Sequence, residues 1–160
     1  MSLRSLRAFL PLAVATFTVI AAAIPVNASG EPAPASGTIQ ITSVVTNSVR
    51  QADGNTILDA TLTGFTTGTF SGQFVEHLEE VVHPTGDSNI QGTATCACAV
   101  AGVGAGTIVF GFNATGEPGG ALSGHYEIIS ATGGASGAHS QGTLSSPNGF
   151  VATYSGQVHS

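Results

Sequence analysis

Phe70-Ser-Gly-Gln-Phe-Val-Glu-His-Leu-Glu-Glu-Val-Val82 is the stretch on which the fold turns. Phe70, Phe74, Leu78 and Val82 fall on one parity, so an extended chain carries all of them on a single face. The cluster Pro84-Thr-Gly-Asp87 follows and supplies the preset φ of proline and the free φ of glycine that a tight turn needs. Residues 88–100 then alternate again, with Ile90, Ala94, Cys96, Cys98 and Val100 on one parity. Two alternating runs joined by a short turn make an antiparallel hairpin.

The same pattern extends in both directions. Eight runs, at 38–50, 56–65, 69–82, 88–100, 105–115, 121–130, 138–145 and 149–159, are separated by short Gly-, Pro-, Asn- and Asp-rich clusters. No segment holds apolar residues at helical spacing for three turns, because Gly or Thr interrupts every candidate. Short links between successive strands favour a meander, whereas a sandwich or jelly roll needs a long crossover. The expected fold is therefore all-β: a closed antiparallel eight-stranded up-and-down barrel, which also removes exposed edges from a sheet with almost no lysine to guard them. Parity places Ile39, Ile41, Val45 and Val49 inside on the first run and Leu58, Ala60 and Leu62 on the second. Later runs add Ile108, Phe110 and Phe112, then Leu122, Tyr126 and Ile128, and last Phe150, Ala152, Tyr154 and Val158.

A three-fold repeat lies within these runs. Phe70-Ser-Gly-Gln-Phe74, Leu122-Ser-Gly-His-Tyr126 and Tyr154-Ser-Gly-Gln-Val158 all place a glycine on the apolar parity. Sharp coiling of the strand is the plainer account and is preferred; space left for a ligand is the other.

Residues 1–28 have the build of a signal peptide: Arg4 and Arg7, an apolar stretch from Ala8 to Ile24, and Val26-Asn-Ala28 as the cleavage spacing. The apolar stretch is shorter than the roughly 20 residues a spanning helix needs, and Pro11 interrupts it. Residues 29–37 are expected as a flexible Pro/Ala linker and 38–160 as the single barrel domain. Beyond residue 28, Arg50 is the one cation against nine carboxylates, a net charge of −8. One cation cannot neutralise a row of phosphates, so nucleic acid is excluded as a partner, and anionic membrane surfaces are disfavoured once the leader is gone.

The segment Ile129-Ser-Ala-Thr-Gly-Gly-Ala-Ser-Gly-Ala-His-Ser-Gln-Gly-Thr143, with Phe150-Val-Ala-Thr-Tyr-Ser-Gly-Gln157, resembles the Gly-rich turn and following strands of the allene oxide cyclase and dirigent superfamily. With Gly68-Thr-Phe-Ser-Gly72, Val82-His-Pro-Thr-Gly86 and Cys96-Ala-Cys98 in order, residues 37–159 look like the secreted bacterial allene-oxide-cyclase-like barrels. The resemblance implies an eight-stranded barrel with a mouth at one end, a hydrophobic pocket, and assembly as dimers or trimers. It carries over no reaction. The buried glutamate and polar partners of the plant cyclases have no residue-by-residue counterpart in this chain.

Glu76 and Glu80 share the parity of Phe74 and Leu78 and would point inward with them. Buried carboxylates are costly unless paired, so they are the candidates for an acid/base pair or a ligand anchor. The plainer account, which takes precedence, is a bulge near Val75 or a place at the barrel mouth in water. Cys96 and Cys98 are the whole cysteine content. On a regular strand they point the same way across two rises of roughly 3.3 Å, wider than a disulfide spans. They rank first as buried thiols, next as a strained disulfide and last as metal ligands. His77, His83, His125, His139 and His159 follow no metal-binding spacing and are expected on the surface. No Gly-x-Ser-x-Gly element and no phosphate cradle occurs, and neither metal nor cofactor is expected. Asn113-Ala-Thr115 is a glycosylation sequon, of consequence only in a eukaryotic secretory pathway.

The leading expectation is a secreted, non-catalytic barrel holding a small hydrophobic molecule against Phe74, Leu78, Phe110, Tyr126 and Tyr154. A cofactor-free cyclase or isomerase is the alternative, and a structural extracellular module without ligand is the third.

Overall fold

The computed structural model describes residues 30–160, so the leader expected at 1–28 lies outside the described residues. Eight strands follow in order: β1 (Ala33–Ala52), β2 (Asn55–Gly68), β3 (Phe70–Val82), β4 (Ser88–Val100), β5 (Gly104–Gly116), β6 (Leu122–Ala131), β7 (His139–Ser146) and β8 (Val151–His159). Each pairs antiparallel with the next and β8 returns to β1, so one all-β sheet closes into a ring in sequence order. Asp53 and Gly54 both have positive φ, the backbone that a two-residue hairpin turn requires between β1 and β2.

β3 pairs without interruption with β2 over residues 72–82 and with β4 over residues 70–82. No bulge near Val75 turns its register, and the even-numbered side chains of β3 stay on the inner face. β1 behaves differently. Its pairing with β2 shifts between Ile41 and Ser43 and again between Thr46 and Ser48. Each extra residue reverses the alternation. Ile39 and Ile41 face inward as expected, but Val45 is turned outward and is 56% exposed. Val49 returns to the inner side opposite Leu58, yet it is 59% exposed because β8 stops pairing with β1 at Gln40. The inner parity expected for Val45 and Val49 is thus corrected by two bulges and a missing neighbour.

The linker expected at 29–37 is also corrected. Residues 33–40 pair with residues 158–151 of β8, and Ala35 is buried. Pro34 is tolerated because β1 gains its β2 neighbour only at Gly37, leaving a proline without N–H on a one-sided stretch of strand.

Cys96 and Cys98 form a disulfide, not the free thiols that ranked first. Their Cα atoms stand 5.3 Å apart, closer than two regular rises, so β4 is pinched at Ala97. Both cysteines lie in the core with Phe70, Phe74, Val100, Ile108, Ala135 and Val158. The Gly-rich link between β6 and β7 forms a 3-10 turn at Gly133–Ala135 and lowers Ala135 into that core, where it is fully buried. The repeat glycines follow from the same close packing. A Cβ at Gly72, Gly124 or Gly156 would strike the carbonyl oxygen of Ala97, Asn113 or Gln141 on the neighbouring strand. They permit tight coiling and do not mark space reserved for a ligand.

Candidate functional site

The inner face of the ring encloses a cavity of about 150 Å³, closed towards Ala135 and open towards Phe150. Its floor and walls are apolar, with Phe70, Phe74, Cys96, Phe110, Tyr126 and Tyr154 deepest and Leu78, Ile90, Leu122, Leu144 and Phe150 nearer the opening. Phe74, Leu78, Phe110, Tyr126 and Tyr154, the residues singled out from sequence, are all in the wall.

Four rings organise the deep half. Phe70 meets Phe110 edge-on at 5.1 Å between centroids, and Tyr126 meets Phe110 at 6.2 Å and Tyr154 at 5.9 Å, both edge-on. These are the offsets that ring quadrupoles favour. The tyrosine hydroxyls are tied into the wall. The Tyr154 hydroxyl accepts from the Phe70 backbone N–H at 2.9 Å and donates to the Thr67 carbonyl at 3.1 Å. Ser140 Oγ donates to the Gln157 carbonyl at 2.7 Å, so the Tyr126 hydroxyl is the donor in its 3.4 Å contact with Ser140. Burial raises the pKa of both phenols above its ordinary value.

Glu76 is the one acidic side chain in the wall. Its cross-strand neighbours on the same face are Leu62 and Ala94, and along β3 they are Phe74 and Leu78. Burial pushes its carboxyl from 4.5 up to about 7, with no hydrogen bond or cation among the described residues to oppose the shift. The open lumen leaves the side chain partly accessible, but the protein offers it nothing polar. Such a carboxyl is far easier to protonate than an ordinary one and suits either proton transfer or capture of a ligand's polar group.

Glu80 does not join it. It lies opposite Leu58 and Ile90, further along β3 towards the opening, and is not part of the cavity wall. Both carboxyls keep the inner parity expected of them, and Glu76 alone lines the cavity. Sequence reasoning also passed over Thr66 and Leu144, which line the cavity. Leu144 is the only large apolar residue of β7, a signal that was available.

The histidines stand outside the lumen. His77 contacts Thr61 Oγ1 at 3.1 Å, His83 bridges Asn55 and Asn89, and His139 stacks on His159 at 5.4 Å. Among the described residues no cluster of three His, Cys, Asp or Glu side chains could hold a metal ion.

No family model matches this chain. No curated protein matches it either. Among solved structures, a protein of unknown function from the DUF3224 family of Shewanella oneidensis MR-1 superposes with a TM-score of 0.66. The alignment has 14% identity and covers 80% of this chain and 97% of that one. The likeness concerns the fold alone.

Proposed function

We propose that this chain is an exported barrel of the allene-oxide-cyclase-like kind that takes up a small apolar molecule carrying one polar group. The leader pattern of residues 1–28 supports export. The observation that carries the binding reading is an apolar cavity with a single unpartnered carboxyl, Glu76, in its wall. An engineered cavity of about 150 Å³ in another protein stays dry and binds benzene, whereas drug-sized ligands need about 300 Å³ or more. The occupant is accordingly a molecule near the size of one substituted ring and not a long acyl chain. A module without ligand would call for a filled core, which this cavity does not favour.

One observation favours a second reading. A carboxyl titrating near 7 in an apolar site is able to take and return a proton at neutral pH, as a cofactor-free isomerase requires.

Toluene titrated into the exported protein tests the binding reading, followed by methyl NMR. Saturable shifts at Leu62, Leu78, Ile90 and Leu144 are expected. Shifts that never saturate, or that spread over the outer face, would overturn it. Cyclohexanone, incubated with the protein in deuterium oxide and recovered with no more deuterium at its α-carbon than in buffer alone, would remove the isomerase reading.

A further inference from the structure

We infer that the lumen selects a small apolar amine, its hydrocarbon body in the aromatic cavity and its ammonium against the Glu76 carboxylate. This narrows the binding reading above and rests on it.

The charge inventory makes the argument. Among the described residues Arg50 is the only Lys or Arg, and Glu79 holds it at 2.9 Å on the outer side of the sheet. No side-chain cation is therefore available to the lumen, and a counter-charge for Glu76 has to arrive with the ligand. An anionic ligand would set a second negative charge beside it, inside a domain that already carries −8. A neutral alcohol or carbonyl compound gains one hydrogen bond from the protonated acid. An ammonium does more: it offsets the buried carboxylate with a charge-assisted hydrogen bond, while its hydrocarbon body lies among the aromatic side chains of the same cavity. Because burial has already removed part of the water from Glu76 in the folded protein, only the remainder of that cost falls on binding.

The groups around Glu76 leave its protonation to itself. Leu62 on β2 and Ala94 on β4 are its cross-strand partners, Glu80 stands further along β3, and across the lumen the phenols of Tyr126 and Tyr154 are neutral at pH 8. An alkylammonium keeps its proton over the same range, so the pH dependence of amine binding should report this one carboxyl.

Benzylamine, benzyl alcohol, toluene and benzoate, titrated calorimetrically into the exported protein at pH 6 and pH 8, test the inference. At pH 8 benzylamine is expected to bind about tenfold tighter than benzyl alcohol. Its affinity should fall about tenfold at pH 6, as a group titrating near 7 gains its proton. Glu76→Gln should bring the two ligands level while toluene still binds, and Glu80→Gln should keep the preference. Benzyl alcohol binding as tightly as benzylamine, or benzoate binding tighter than either, would overturn the amine inference and leave the binding reading standing if toluene binds. Failure of all four compounds to bind would overturn both.

Discussion

At one end of the lumen Phe70, Val100, Ile108, Ala135 and Val158 are almost wholly buried, while at the other Leu78, Ile90 and Leu122 are half-open and Phe150 is exposed. The same strands serve both ends: β3 brings Phe70 and Phe74 to the sealed end and Glu76 and Leu78 towards the open one. What differs is what crosses the ring. The Gly133–Ala135 turn drops a side chain into the sealed end, and the Cys96–Cys98 bridge draws β4 in beside it. Nothing comparable crosses the open end among the described residues, where β1 loses its β8 neighbour after Gln40. A closed sheet needs only one packed end to hold its shape. The other end is then free to carry a group that costs stability, and Glu76 is such a group.

The contrast is broken most directly by truncating a ring at the sealed end. Phe70→Ala removes a side chain that packs on Phe110 and Tyr154, and should cost about 3–5 kcal/mol by urea denaturation. A loss below about 1 kcal/mol would mean that the sealed end is not where stability resides.

A smaller effect is expected from the bridge. Without reductant a maleimide should label neither Cys96 nor Cys98, in the folded or the denatured protein, and both after reduction. A loop this short removes little freedom from the unfolded chain, so reduction should cost only about 1–2 kcal/mol. Labelling without reductant would return the pair to free thiols.

The smallest effect belongs to the mouth. Phe150 is 58% exposed, so Phe150→Ala should change stability by less than about 0.5 kcal/mol. A loss comparable to that of Phe70→Ala would show the opening to be packed, and the two ends alike.

Much of this is legible in the sequence. Alternation and turn chemistry placed all eight strands in order, and the parity of β3 put Phe74, Glu76 and Leu78 on the inner face. The failures have a common cause, since each depends on cross-strand geometry that alternation does not encode. Thr42 and Asn47, the extra residues of the β1 bulges, have nothing in composition to mark them, yet they decide where Val45 points. Pro34 looked like linker because its tolerance in a strand depends on which neighbour lies on which side. Cys96 and Cys98 looked too far apart because regular strand spacing was assumed where β4 is pinched. Glu80 has the same parity as Glu76, and only its height in the ring separates them.

Glu76 is an unpartnered carboxyl in an apolar lumen, and its titration reports that environment without intermediaries. Its carboxyl carbon, followed by NMR from pH 3 to pH 9, should show a midpoint of about 7 in place of the ordinary 4.5. The folded state then holds this proton more tightly than the unfolded chain does. The carboxyl therefore costs the fold nothing through its charge below about pH 4.5, and the cost grows as pH rises from there until the folded group ionises at about 7. Glu76→Gln should accordingly match the parent at pH 4 and exceed it at pH 8, by roughly 3 kcal/mol at most. A midpoint near 4.5, with the Gln variant no more stable than the parent at pH 8, would place the carboxyl in water and contradict the account.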